Sequence, residues 1–103
     1  MASRAPAIPE AALQKAVTDL CTLFRLKWYH ANLPIWDKRG WPDLVIGGRH
    51  GTIFRELKKE DGTVSPDQAE WGALLAAAGI SWDVWRPSDL RSGRIKRELE
   101  AIR

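Results

Sequence analysis

The stretch "GWPDLVIGGRHGTIFRELKK", residues 40–59, decides the fold. "PDLVIGG" and "TIFRELK" read as two strands flanking the turn Gly48-Arg49-His50-Gly51, a hairpin closed at both ends of its turn by glycine. The antiparallel register that this turn sets carries Asp43 opposite Glu56. Directly opposed Cβ atoms lie roughly 4.5 to 5.5 Å apart, and like charges so placed repel. The "LVI" run suits a strand covered on both faces, so the two acids need a compensating positive charge. Lys58 shares the face of Glu56, two residues on. One lysine offsets half of the pair, whereas a divalent cation offsets all of it. Mg²⁺ takes carboxylate oxygens together with waters and substrate phosphates, and an all-oxygen donor set suits it better than zinc. The side chain of Leu57 points to the opposite face, but its main-chain carbonyl adds a further oxygen.

Upstream, Leu13, Val17, Leu20 and Phe24 recur at helical spacing, with Ala16 and Cys21 widening the stripe. A helix over 9–26 follows, with Pro9 in its first turn. "KWYHA" (27–31) reads as a short strand and "NLPIWDKRGW" as a loop. Downstream of the loop "KEDGTVS", Ser65, Pro66 and Gln68 spell the start of a helix: N-cap, first-turn proline and capping box. Gly79 ends it, and Trp71, Leu74, Leu75 and Ala78 are the expected buried stripe. "ISWDVWR" (80–86) alternates as a strand, and after "PSDL" a charged helix runs to Arg103, whose mixed signs suit a solvated face. The order is α-β-β-β-α-β-α, which predicts a single-domain α/β fold: a mixed sheet covered by helices. The domain is expected over 9–103, with 1–8 as a tail, and the six tryptophans are expected mainly in core packing.

The totals agree with one domain. The chain has 103 residues, 45% of them apolar and 28% charged, within the globular range. A net charge of +3 is compatible with a polyanionic partner without requiring one. Cys21 is the single cysteine, and with His30 and His50 it cannot make a four-ligand zinc site of His and Cys. "MASRAPAIPE" lacks the apolar core of a signal peptide, and no run is long enough for a membrane span, so a cytoplasmic location without membrane contact is expected. No GxxxxGK[ST], GxSxG or Cys-His pattern occurs, which argues against an intrinsic ATP-driven motor and a covalent hydrolase.

"PD" at 42–43 followed by "ELK" at 56–58 resembles the bipartite motif of the PD-(D/E)xK nucleases, whose restriction-endonuclease-like core has the order αβββαβ. With "PEAALQKAV", "YH", "GWPDL", "SPDQAEW" and "WRPSDL", the likeness narrows to the VRR-NUC family of small stand-alone nucleases, many of them phage-encoded. The resemblance implies a metal-dependent endodeoxyribonuclease acting on branched DNA, with Mg²⁺ as cofactor, Mn²⁺ able to substitute, and any helicase a separate partner. It implies Asp43, Glu56 and the Leu57 carbonyl as metal ligands, joined by Glu10 from the first helix. Lys58 becomes the residue that positions or deprotonates water, and Gln68 the second-helix glutamine of the site.

Each residue also has a structural explanation. Glu10 in a first helical turn is favoured by the helix dipole. Gln68 completes a capping box, Lys58 sits well at a surface, and the two acids could form a charge pair on an edge strand. His30 suits either a phosphate contact or an ordinary hydrogen bond, His50 is expected to be solvated, and Arg55 has no assigned part. The rival functional reading is a non-catalytic nucleic-acid-binding module using Arg39, Arg49, Lys58 and Lys59 on phosphates. Two acids that repel phosphate favour catalysis over that reading. Two matched incisions at a junction call for a twofold homodimer, for which Leu33, Ile35 and Trp36 supply apolar loop surface.

Overall fold

The computed structural model describes residues 8–31 and 39–103. The expected tail lies outside the described residues apart from Ile8, which packs against the core. The loop residues Leu33, Ile35 and Trp36 also lie outside them. Along the chain run α1 (Glu10–Leu23), β1 (Lys27–His30), β2 (Leu44–Gly48), β3 (Gly51–Leu57), α2 (Pro66–Ala77), β4 (Ser81–Trp85), α3 (Pro87–Arg91) and α4 (Arg94–Ile102).

The strands form one sheet in the order β1-β2-β3-β4. The first three are antiparallel and β4 joins β3 in parallel, so α2 is the crossover between them. The hairpin has the register read from the sequence, from Leu44 opposite Arg55 to Gly48 opposite Gly51. The turn proper is shorter than expected, because Gly48 and Gly51 pair with each other and leave Arg49 and His50 between the strands.

Alternation along the strands divides the side chains between two faces. Leu44, Ile46, Ile53, Leu57 and Trp85 turn to one side and form the core with Leu13, Val17 and Cys21 of α1 and Ile95 and Leu99 of α4. On the other side Phe54, Glu56 and Trp82 lie beneath α2. Here α2 is rotated from the expected stripe: Gly72 and Leu75 are buried, while Leu74 is 58% exposed and Ala78 is exposed. The cause is close approach, since a Cβ on Gly72 would come within 2.6 Å of the Trp82 ring.

Helix ends follow local chemistry. α1 closes in a Schellman motif, with Leu26 N–H donating to the Cys21 carbonyl (2.8 Å) and Arg25 N–H to that of Thr22 (3.1 Å). The expected C-terminal helix is preceded by a short one, α3, formed by the "PSDL" segment itself and set off from α4 at Gly93. The tryptophans depart from expectation. Among those described, only Trp85 is fully buried, and β1, an edge strand, exposes Trp28 and Tyr29 to solvent. No helix among the described residues is long and apolar enough to cross a membrane.

Candidate active site

Glu56 is the penultimate residue of β3 and is 2% exposed. Its Oε1 accepts a hydrogen bond from Gln68 Nε2 at 3.0 Å. Gln68 is itself held by the capping box of α2: its Oε1 accepts from Ser65 N–H (2.9 Å) and its own N–H donates to Ser65 Oγ (3.2 Å). The cap and the site are therefore one device. The amide oxygen closes the helix, which leaves the amide nitrogen for Glu56.

Asp43 immediately precedes β2 and is fixed from two sides. Its Oδ2 accepts from Leu57 N–H at 2.8 Å, and its carbonyl accepts from Ala31 N–H at 3.0 Å, beyond the end of β1. The residue opposed to Glu56 in the hairpin is thus tied to β3 by the amide next in line. Leu57 takes part through its main chain while its side chain is buried in the core.

Glu56 Oε2 is buried with no donor. Its carboxyl is pushed up to about 9, first by burial, then by the hydrogen-bonding reach and charge of Asp43, with Glu10 acting in the same direction and Lys58 opposing. Burial and the neighbouring acid both favour the neutral form of Glu56.

Lys58 is half-buried, continues the β3–β4 ladder through its N–H to the Trp85 carbonyl (3.0 Å), and forms no ion pair among the described residues. Its charge favours the ionised form of Glu56. Glu10 opens α1 and is exposed. Its charge reaches Glu56, but no group of three metal-ligating side chains converges among the described residues, so Glu10 stands apart from the two central acids.

Other residues at the site carry no obvious sequence signal. Gly40 (φ +83) lies so close to the Asp67 main chain that a Cβ there would overlap it, which docks the loop leading to Asp43 on the first turn of α2. Trp41 meets Trp71 edge-on (centroids 4.9 Å apart) and Phe54 likewise (6.1 Å). Arg86 donates to the carbonyls of Lys59 (2.9 Å), Glu60 (3.2 Å) and Gly62 (2.7 Å), holding the loop that follows Lys58. His30 ends β1 opposite Leu44. His50 is exposed but engaged, its Nδ1 2.7 Å from the Arg103 main-chain oxygen. Arg55, unassigned in the sequence, lies on the other face, buried and paired with Glu98 at 2.8 Å.

The donor set fits a hard cation. Two adjacent carboxylates, one with a buried oxygen that nothing in the protein satisfies, are either protonated or bound to positive charge.

No protein-family model matches the chain, and no curated protein matches it with significance. The chain is similar in structure to a solved protein described as a "VRR_NUC domain protein", with a TM-score of 0.67 and 23% sequence identity over 93% of this chain and 92% of that one. The fold is that of a VRR-NUC domain.

Proposed function

We propose that the protein is a Mg²⁺-dependent endodeoxyribonuclease of VRR-NUC type that cuts branched DNA in the cytoplasm. The observation that carries this reading is the buried Glu56 beside Asp43, with Gln68 on one carboxylate oxygen and no donor on the other. The fold shared with the VRR_NUC domain protein supports it.

Asp43 and Glu56 would hold the cation, with the Leu57 carbonyl as a further oxygen and Glu10 as an outer acid. When bound, Mg²⁺ supplies Lewis acidity, polarising the phosphate and favouring hydroxide over water. The protein's own groups set the geometry. Asp43, locked by Leu57 N–H, turns one oxygen toward Glu56. Gln68 fixes the rotation of the Glu56 carboxylate about its Oε1. Lys58, half-buried beside them, takes a proton from the attacking water or steadies charge on the phosphate. A new P–O bond forms to the water oxygen, the ester P–O bond breaks, and the departing strand oxygen takes up a proton.

A homodimer would supply two matched incisions at a junction, and any helicase would be a separate protein. Labelled four-way junction, single-stranded and duplex DNA, incubated with Mg²⁺ or with EDTA, test the proposal. Junction cleavage in Mg²⁺, its loss in EDTA, and its loss in Glu56→Gln with DNA binding retained are expected. DNA binding without cleavage in any metal would leave the non-catalytic binder instead.

A further inference from the structure

At the far end of the β2–β3 hairpin, the turn packs against the end of α4: His50 N–H donates to the Ile102 carbonyl at 3.0 Å. Between this turn, the end of α1 and the end of α4 lies an open cleft of about 460 Å³. The residues that line it include Phe24, Arg25, Arg49, His50, Glu100 and Arg103. Three arginines line the cleft together with Glu100 and with the Arg103 main-chain oxygen, which His50 Nδ1 meets at 2.7 Å, and none of the three arginine side chains forms an ion pair among the described residues. Arg55, Arg91 and Arg94 are by contrast all paired. Arg103 lies over the Phe24 ring, 5.2 Å from its centroid, and leaves the edge of its guanidinium for a ligand.

The backbone adds an independent observation. Arg25 occupies the left-handed position after α1, at φ 58, where a Schellman motif ordinarily takes glycine. A residue with a Cβ is unfavourable there, and such strain is characteristically kept where a side chain serves a ligand. The Arg25 side chain makes no hydrogen bond or ion pair among the described residues, and it lines the cleft.

Guanidinium forks match phosphate oxygens, and an open polar cleft offers little to an apolar ligand. The cleft is separated from Asp43 and Glu56 by the length of β2, five residues, or roughly 17 Å at strand rise. That distance exceeds the spacing of neighbouring phosphates on a strand, so one nucleic acid can present different phosphates to the two places. We propose that this cleft is a second nucleic-acid contact, in which Arg25, Arg49 and Arg103 seat a backbone phosphate remote from the one that is cut. This rests on the nuclease reading only in taking nucleic acid as the ligand.

The test is fluorescence anisotropy of labelled duplex and four-way junction DNA in Ca²⁺ across a salt series, with the full chain. Arg25→Gly is the diagnostic variant, because relief of the left-handed strain should raise the thermal midpoint while affinity falls. The variant R25G/R49Q/R103Q should bind at least about 10-fold more weakly near physiological salt, with the slope of log K against log salt reduced by about 1 to 2. Unchanged affinity and slope in that variant would overturn the proposal. If inorganic phosphate raises the wild-type thermal midpoint but not the variant's, with DNA affinity unchanged, the cleft is a small-anion site and the nucleic-acid assignment fails. Wild-type protein that binds DNA through these arginines but cuts nothing in Mg²⁺ supports the cleft and removes the nuclease reading.

Discussion

Glu56 concentrates the tension of the site, because its carboxyl is buried next to another acid and half of it lacks a donor. In the metal-free protein it keeps its proton up to about pH 9, against an ordinary value of 4.5. Its contribution to stability is therefore full below about pH 4.5 and is lost as pH rises toward 9. Thermal unfolding in EDTA should show a midpoint that falls from pH 5 to pH 9, and Glu56→Gln, neutral throughout, should flatten that slope. At pH 8 the variant should melt clearly above wild type, and at pH 5 the gap should close. A slope identical in both proteins would mean that Glu56 is ionised without metal. Gln68 makes a second test. Gln68→Ala removes the acceptor for Ser65 N–H and the Glu56 contact but keeps the bond from its own N–H to Ser65 Oγ, whereas Ser65→Ala removes only the cap acceptor for Gln68 N–H. Cleavage should drop about 10- to 100-fold in the first, as for other residues that orient a metal ligand. The second should lose stability, about 1 kcal/mol, more than rate.

The opposite face of the sheet is organised around another charged group. Arg55, 4% exposed, donates to Glu98 and Ser81, and Glu98 also accepts from Trp85 Nε1 (3.0 Å) and from Arg94. Burial tends to raise the Glu98 carboxyl, but hydrogen bonds from Arg55, Trp85 and Arg94 outweigh it and hold the group below its ordinary value. That stability is present above about pH 4.5 and is lost as pH falls through the lowered value, the reverse of Glu56. Glu98→Ala strands a buried guanidinium and should cost about 3 kcal/mol, read as a lower denaturation midpoint with unchanged slope. Gly72→Ala drives a Cβ into the Trp82 ring and should cost about 1 to 3 kcal/mol by the same measurement. These two features mark where the sequence stopped being legible. The hairpin register could be read because a short turn fixes pairing locally, and the capping box because its three residues are adjacent. Arg55 and Glu98 are 43 positions apart, and nothing local links them. The face of α2 was misread because Gly72 carries no apolar signal, although its smallness is what lets the helix settle on Trp82. The exposure of Trp28 and Tyr29 follows from β1 lying at the sheet edge, a property of strand order that composition does not contain.

Folding brings together pieces from across the chain at the candidate site: Asp43 before β2, Glu56 on β3, Lys58 after it, Gln68 on α2 and Glu10 at a greater distance on α1. A cation held there would be bound by the folded state alone, so its binding free energy would add to fold stability. At ten times its Kd, Mg²⁺ should raise stability by about 1.4 kcal/mol, several degrees in the thermal midpoint of a chain of 103 residues. Proton and cation compete for the same two carboxylates, and the proton on Glu56 is held up to about pH 9. The Mg²⁺-induced shift should therefore grow between pH 6 and pH 8.5, the direction opposite to the decline of the metal-free protein over the same range. Ca²⁺ should give a comparable shift while supporting little cleavage, because its looser coordination holds phosphate and water less strictly. Asp43→Asn and Glu56→Gln should each lose the shift, whereas Glu10→Gln should keep most of it if the first-helix acid acts from a distance. Differential scanning fluorimetry on the four proteins over a Mg²⁺ and pH grid measures all of this without relying on DNA. A Mg²⁺ shift of equal size in wild type and Glu56→Gln would place the cation elsewhere and remove the physical basis for reading the two acids as its ligands.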